Sequence, residues 1–187
     1  MIKFKYARWK NFLSTGNQFI EIQLDKSPTT LIVGENGAGK STILDVLCFG
    51  LFGKPFRGIN KAQLVNSINN SSTIIEIEFT IGTRNYKVVR GIKPNKFEIY
   101  QNDKMMNLEA NVRDYQKILE QQILKLNYRS FTQVVILGSS TFVPFMQLKA
   151  RHRREVVEEI LDIQIFSIMN LLARQKTKEL TEEIREV

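Results

Sequence analysis

Cysteine is nearly absent from this 187-residue chain, with Cys48 standing alone. No disulfide can close within the chain, and no Cys/His set has zinc-site spacing, so a reducing cytoplasm is the default location. Histidine is as scarce. His152 sits between Arg151 and Arg153, which marks a surface residue rather than a catalytic one. Four prolines and no low-complexity tract exclude collagen-like and disordered classes. The longest apolar runs, near Ile43 to Phe52 and Val134 to Leu137, are too short to cross a bilayer. The opening Met1-Ile2-Lys3-Phe4-Lys5 alternates apolar with basic residues and is no signal peptide. No membrane role is expected.

What remains is an ordinary globular composition, 43% hydrophobic and 25% charged, sized for one core or a core plus an appendage. The net charge is +8. Residues 149–187 hold eight basic and eight acidic side chains, so the whole excess lies in residues 1–148. Such an excess suits phosphate-bearing partners, nucleotide or nucleic acid, or is a solvated basic surface.

Alternation predicts strands over 2–6 and 18–24, and a short buried strand over Thr29 to Val33. Lys40 to Phe52 reads as a buried helix stopped by Gly53 and Pro55. Residues 72–81, 86–90 and 97–100 form an antiparallel meander, and 110–126 has helical spacing. Thr132 to Leu137 reads as another strand, and the chain is helical from about Arg151. Past Ala173 the apolar pattern thins to Ala173, Thr177, Leu180, Ile184 and Val187, the seam of a coiled coil. That pattern stops at Val187 without a cap, so a longer protein is expected.

The chemistry centres on Gly34-Glu35-Asn36-Gly37-Ala38-Gly39-Lys40-Ser41-Thr42, a G-x-x-x-x-G-K-S sequence between a predicted strand and a predicted helix. Glycines let successive amides point at phosphate oxygens, and the helix N-terminus adds partial positive charge. Lys40 suits β- and γ-phosphates, the Ser41 hydroxyl suits Mg²⁺, and Thr42 suits an α-phosphate. ATP with Mg²⁺ is the expected ligand. A P-loop hydrolase also needs an apolar strand ending in Asp, followed by a catalytic Glu. Neither Ile20 to Asp25 nor Val156 to Asp162 fits, and no LSGGQ-like element exists. The chain carries half of an ATPase.

Together these segments resemble the N-terminal half of the SbcC-type, SMC-like ATPases of DNA double-strand-break repair. The residues are Lys10-Asn11-Phe12, Gly34 to Thr42, Leu44 to Gly53, Phe131 to Leu137, and Arg153 to Leu161. Phe52-Gly53-Lys54-Pro55-Phe56-Arg57 and Pro144-Phe145-Met146 look like the T-even phage branch, the large subunit of a recombination endonuclease. The resemblance implies an α/β P-loop NTPase of the ABC/SMC-like head class, with an antiparallel β-meander and the start of a coiled-coil helix. Residues 1–150 would be the N-terminal lobe, and 151–187 the helix leading into the coiled coil and docking an SbcD-type nuclease. The lobe would join its own C-terminal lobe. Two heads would sandwich ATP and act on double-stranded DNA. Hydrolysis would need the second head, so this chain alone would bind ATP but turn it over poorly.

By the same resemblance, Asn11 joins Gly34, Asn36, Gly37, Ala38, Gly39, Lys40, Ser41 and Thr42 in binding nucleotide. Two positions depart from the family. Leu13 stands where many members carry a nucleotide-contacting Arg. Ser139, with Ser140 beside it, falls where a metal-contacting Gln is usual. Gln133 is six residues earlier, roughly 20 Å along a strand, and so is set aside.

Arg84, Lys87, Arg90, Lys93 and Lys96 recur every third residue over the meander. They are candidate DNA-phosphate contacts or a solvated rim. Strand alternation puts Arg84 and Arg90 on one side and Lys87 on the other. The rival functions are a condensin-like clamp without a nuclease, a transporter ATPase subunit, and a self-contained P-loop kinase. The last lacks its Walker B strand and acceptor site here.

Overall fold

A computed structural model describes residues 2–106, 112–137, 143–161 and 163–185. They divide into two compact units, residues 1–124 and 125–187.

The first unit is a six-stranded antiparallel sheet with one long helix against it. The strands are β1 (Ile2–Lys10), β2 (Ile20–Gln23), β3 (Thr73–Ile81), β4 (Arg84–Ile92), β5 (Lys96–Gln101) and β6 (Lys104–Met105), in the order β2-β1-β3-β4-β5-β6. Period-two alternation buries one face. Ala7, Ile75, Ile77, Phe79, Val88 and Ile99 have no exposed surface. Each such Ile, Val or Phe side chain contributes about 1.5–3 kcal/mol by leaving water. The other face carries an alternating charge ladder. Arg8 pairs with Glu76 at 2.7 Å, Lys5 with Glu78 at 3.0 Å, and Lys96 with Glu98 at 3.0 Å.

Helix α1 (Thr42–Phe52) lies on the buried face, and nine of its eleven residues are buried. It approaches closely because Gly50 has no side chain: a Cβ there would sit 2.4 Å from Cδ1 of Ile77. Gly53 ends the helix in the left-handed conformation, φ +68°, where its amide donates to the Phe49 carbonyl. Helix α2 (Val112–Lys117) continues as a π-helical stretch, Ile118–Leu124, that buries Leu119 and Ile123.

The second unit holds α3 (Tyr128–Val134), α4 (Ala150–Ile160) and α5 (Gln164–Arg185). Ser130 donates to Glu159 and Arg129 to Glu155, tying α3 to α4. The seam residues Ala173, Thr177, Leu180 and Ile184 lie exposed along the 22-residue α5, while Val187 lies outside the described residues. Among the described residues, no helix is long and apolar enough to cross a membrane.

Two expected strands are corrected. Residues 29–33 form no strand; Leu31 is 85% exposed and Val33 80%. An apolar run becomes a strand only where a ladder partner meets it, and among the described residues this run pairs with none of the six strands. Thr132 to Leu137 is not extended either, since residues up to Val134 belong to α3. Asn127 starts that helix by accepting the Ser130 amide at 3.0 Å. The β-branched Val134 and Val135 pulled the sequence reading toward strand. The spacing that set Gln133 aside therefore does not apply, because Gln133 sits within α3. Ser139 and Ser140 lie outside the described residues.

Candidate nucleotide site

Residues 34–41 turn from the exposed segment into α1. Gly37 and Gly39 hold φ of +89° and +91°, left-handed backbone that strains any L side chain. Among the described residues, no protein group accepts from the amides of Gly37, Gly39, Lys40 or Ser41. Those four residues, with Asn36 and Thr42, line one side of a cavity of about 600 Å³. Lys40 folds over the loop, donating from Nζ to the carbonyls of Gly34 (2.6 Å) and Glu35 (2.7 Å). These are neutral acceptors, which a phosphate oxygen would outcompete for an ammonium. Gly34 and Ala38 stand behind the cavity lining and shape the turn: a Cβ on Gly34 would lie 3.3 Å from that of Ala38.

The cavity's other walls were not legible in the sequence. Leu13 and Ser14 come from the loop after β1, and Gln63, Val65 and Ser67 from the segment before β3. An asparagine network fastens the two segments. Leu13 N donates to Leu64 O at 2.7 Å, Asn66 Nδ2 to Leu13 O at 3.1 Å, and Asn69 Nδ2 to Asn11 Oδ1 at 2.7 Å. This corrects the reading of Asn11 as a nucleotide contact. It is 1% exposed, outside the cavity lining, and its side chain is spent on Asn17, Asn69 and Ser72.

The second cation on the cavity is Arg57. Its Nε donates to Oδ2 of Asp45 at 2.6 Å, and its backbone amide to Oδ1 at 3.0 Å. Asp45 is fully buried in the first turn of α1, where a carboxylate is favoured by the helix dipole. Leu13 lacks the guanidinium expected at its position, and Arg57 brings one to the same cavity. Among the described residues no carboxylate lines it. Two cations, open amides and a helix N-terminus without an opposing acid suit a polyphosphate. The Ser41 hydroxyl expected to meet Mg²⁺ and the Thr42 hydroxyl expected to meet an α-phosphate belong to residues on the same lining. The Lys54-Pro55-Phe56-Arg57 run carried no chemical motif; only its pairing with Asp45 gives Arg57 a role.

The basic series on the meander divides. Arg90 is corrected: it is 9% exposed and faces the core, hydrogen-bonded to Gly50 O and Gln116 Oε1, so it presents little surface to a polyanion. Burial pulls its pKa down to about 10, against the opposing pull of Glu120. Lys87 lies over the Tyr100 ring at 4.8 Å, Lys93 donates to Asn70 at 2.8 Å, and Lys96 is paired with Glu98. Arg84 is exposed at the β3–β4 turn.

A family model described as an AAA domain matches residues 8–187. The chain belongs to the AAA domain family. This AAA domain is 42% identical over 170 residues to Exonuclease subunit 2 of Enterobacteria phage T4, covering 91% of this chain and 30% of that protein. Its identity to Exonuclease subunit 2 of Escherichia phage RB69 is 39% over 181 residues, covering 97% of this chain and 32% of that one. A probable DNA double-strand break repair Rad50 ATPase of Aquifex aeolicus is 28% identical over 156 residues, 80% of this chain and 16% of that one. The chain thus spans about a third of the phage relatives' length. Among solved structures, the Smc head domain of Pyrococcus furiosus with an extended coiled coil, bound to the C-terminal domain of ScpA, superposes with a TM-score of 0.63. Identity is 19%, over 98% of this chain and 48% of that one. That likeness concerns the fold alone, which is the SMC-like P-loop head expected from the sequence. The resemblance to the SbcC and Rad50 family also holds.

Proposed function

We propose that this AAA domain is the ATP-binding N-terminal lobe of a DNA-repair and recombination ATPase that regulates a partner nuclease. The observation that carries the reading is the set of open amides at Gly37, Gly39, Lys40 and Ser41, on a cavity with Lys40 and Arg57 and, among the described residues, no acid. A triphosphate would replace the loop carbonyls as partner of Lys40, and Arg57 would add a second cation from the same lining. Mg²⁺ held at the Ser41 hydroxyl would neutralise phosphate charge. The lobe lacks a Walker B carboxylate in its sequence, so it would bind ATP well and hydrolyse it poorly until a C-terminal lobe and a second head complete the site.

The exposed Leu31 to Val33 segment, directly before the P-loop, fits a C-terminal lobe supplying a neighbouring strand. The exposed apolar residues of α5 fit a coiled-coil partner and a nuclease docked within 151–187. The phage relatives' name, exonuclease subunit, favours a nuclease partner over a condensin-like clamp. DNA would lie across the joined heads, with Arg84, Lys87, Lys93 and Lys96 as candidate phosphate contacts and Ser139 as a candidate metal contact.

Calorimetric titration with Mg·ATP tests the reading. The wild-type chain should bind, and Lys40→Ala should lose binding while keeping its circular dichroism spectrum. Equal affinity in both proteins would overturn it, as would vigorous turnover by this chain alone. Capture of a nuclease by the longer protein, lost on removing 151–187, would separate the nuclease reading from a clamp.

A further inference from the structure

Helix α1 carries Thr42 at one end, and its other end is gripped by a buried cation. Arg90 Nε donates to Gly50 O at 3.0 Å, and Nη2 to Leu51 O at 3.4 Å. Gln116 joins from α2: its Oε1 accepts from Arg90 Nη2 at 2.7 Å, and its Nε2 donates to Leu51 O at 3.1 Å. Gln116 is itself held by Glu120 at 2.6 Å. The guanidinium carbon lies 3.8 Å from the Phe97 ring centre. Gly53 leaves room for this arrangement, since a Cβ there would meet Nη1 of Arg90 at 3.1 Å.

We propose that Arg90 is a positioning residue for nucleotide binding, acting through α1 and never touching the ligand. The carbonyls it holds are those a helix leaves unsatisfied at its C-terminal end. The eleven-residue helix is about 16 Å long and transmits orientation as a rod. With Gly50 seated on Ile77, Arg90 and Gln116 fix the rod's axis and rotation, and hence where Ser41 and Thr42 meet the phosphates. A buried charge is a poor choice for stability alone, because an apolar chain of similar length fills the space without desolvation cost. What the hydrocarbon cannot do is hold the Gly50 and Leu51 carbonyls in one direction.

This inference rests on the nucleotide reading, and its test keeps the two apart. Mg·ATP affinity and the unliganded thermal midpoint are measured for wild type, Arg90→Met, Arg90→Lys and Gln116→Leu. Arg90→Met should weaken ATP binding by about 3- to 30-fold, the range for residues that act on a site from a distance. Arg90→Lys should recover part of that loss, and Gln116→Leu should fall between Arg90→Lys and Arg90→Met. The losses should not track the midpoints. Folded variants that melt earlier but bind as tightly as wild type would make Arg90 a purely structural residue and overturn the proposal. Should Arg90→Met fail to fold, wild-type affinity in both Arg90→Lys and Gln116→Leu overturns it equally. A wild type that binds no ATP would remove the nucleotide reading itself, and this inference with it.

Discussion

Asp45 is buried to the last atom, and the described hydrogen bonds and ion pair of its carboxylate all come from Arg57, which reaches it from twelve positions along the chain with its amide, Nε and Nη2. The pair ties the first turn of the P-loop helix to the segment after it and sets a guanidinium on the nucleotide cavity. The two ends differ in exposure: the Arg57 side chain is 42% exposed and that of Asp45 is 0%. Arg57→Ala leaves a carboxylate in the core and should cost about 2–4 kcal/mol. Asp45→Asn frees a guanidinium that water can reach, and should cost less, about 1–2 kcal/mol. Urea denaturation of both variants checks the order.

Gly50 sets helix propensity against packing. In an isolated helix, Gly→Ala is worth about 1 kcal/mol in favour. Here the new methyl would press on the Ile77 and Ile75 side chains at 2.4 and 3.0 Å. Gly50→Ala should therefore destabilise by about 1–3 kcal/mol through overpacking. A shift of the denaturation midpoint to higher urea would contradict this.

Acid should loosen the sheet's outer face. Burial pushes the Glu78 carboxyl upward, but hydrogen bonds from Lys5, Asn85 and Tyr6 outweigh it and hold its pKa below the ordinary value. A lowered folded-state pKa gives stability that is present above the unfolded pKa and disappears as pH falls through the folded one. Stability should drop on acidification through and below the usual carboxylate range, and Glu78→Gln should flatten that slope. Chemical denaturation across pH 2–6 reads it out.

Burial, and then the nearby Asp45 charge, push the Cys48 thiol up to about 12. Little thiolate exists in the native state near neutral pH. Iodoacetamide should leave native Cys48 unmodified for as long as the chain stays folded and label it at once in urea. Mass spectrometry after timed quenching measures both rates.

The nucleotide loop was legible in the sequence because its chemistry is local: left-handed turns need glycine, and the lysine and hydroxyls follow at fixed spacing. The meander was legible because Ile75, Ile77 and Phe79 alternate with polar residues, and a strand sorts its faces two by two. The α5 seam followed from helical spacing in the same way. Family membership followed from several such runs in one order. Tertiary structure alone decided the rest. It took Arg90 out of the surface series and Asn11 off the cavity, and it put Arg57 on it. It also made Gln133 part of a helix and left Leu31 to Val33 without a strand. The placements of Arg90, Asn11 and Arg57 turn on partners distant along the chain, and sequence spacing carries no record of which distant groups meet.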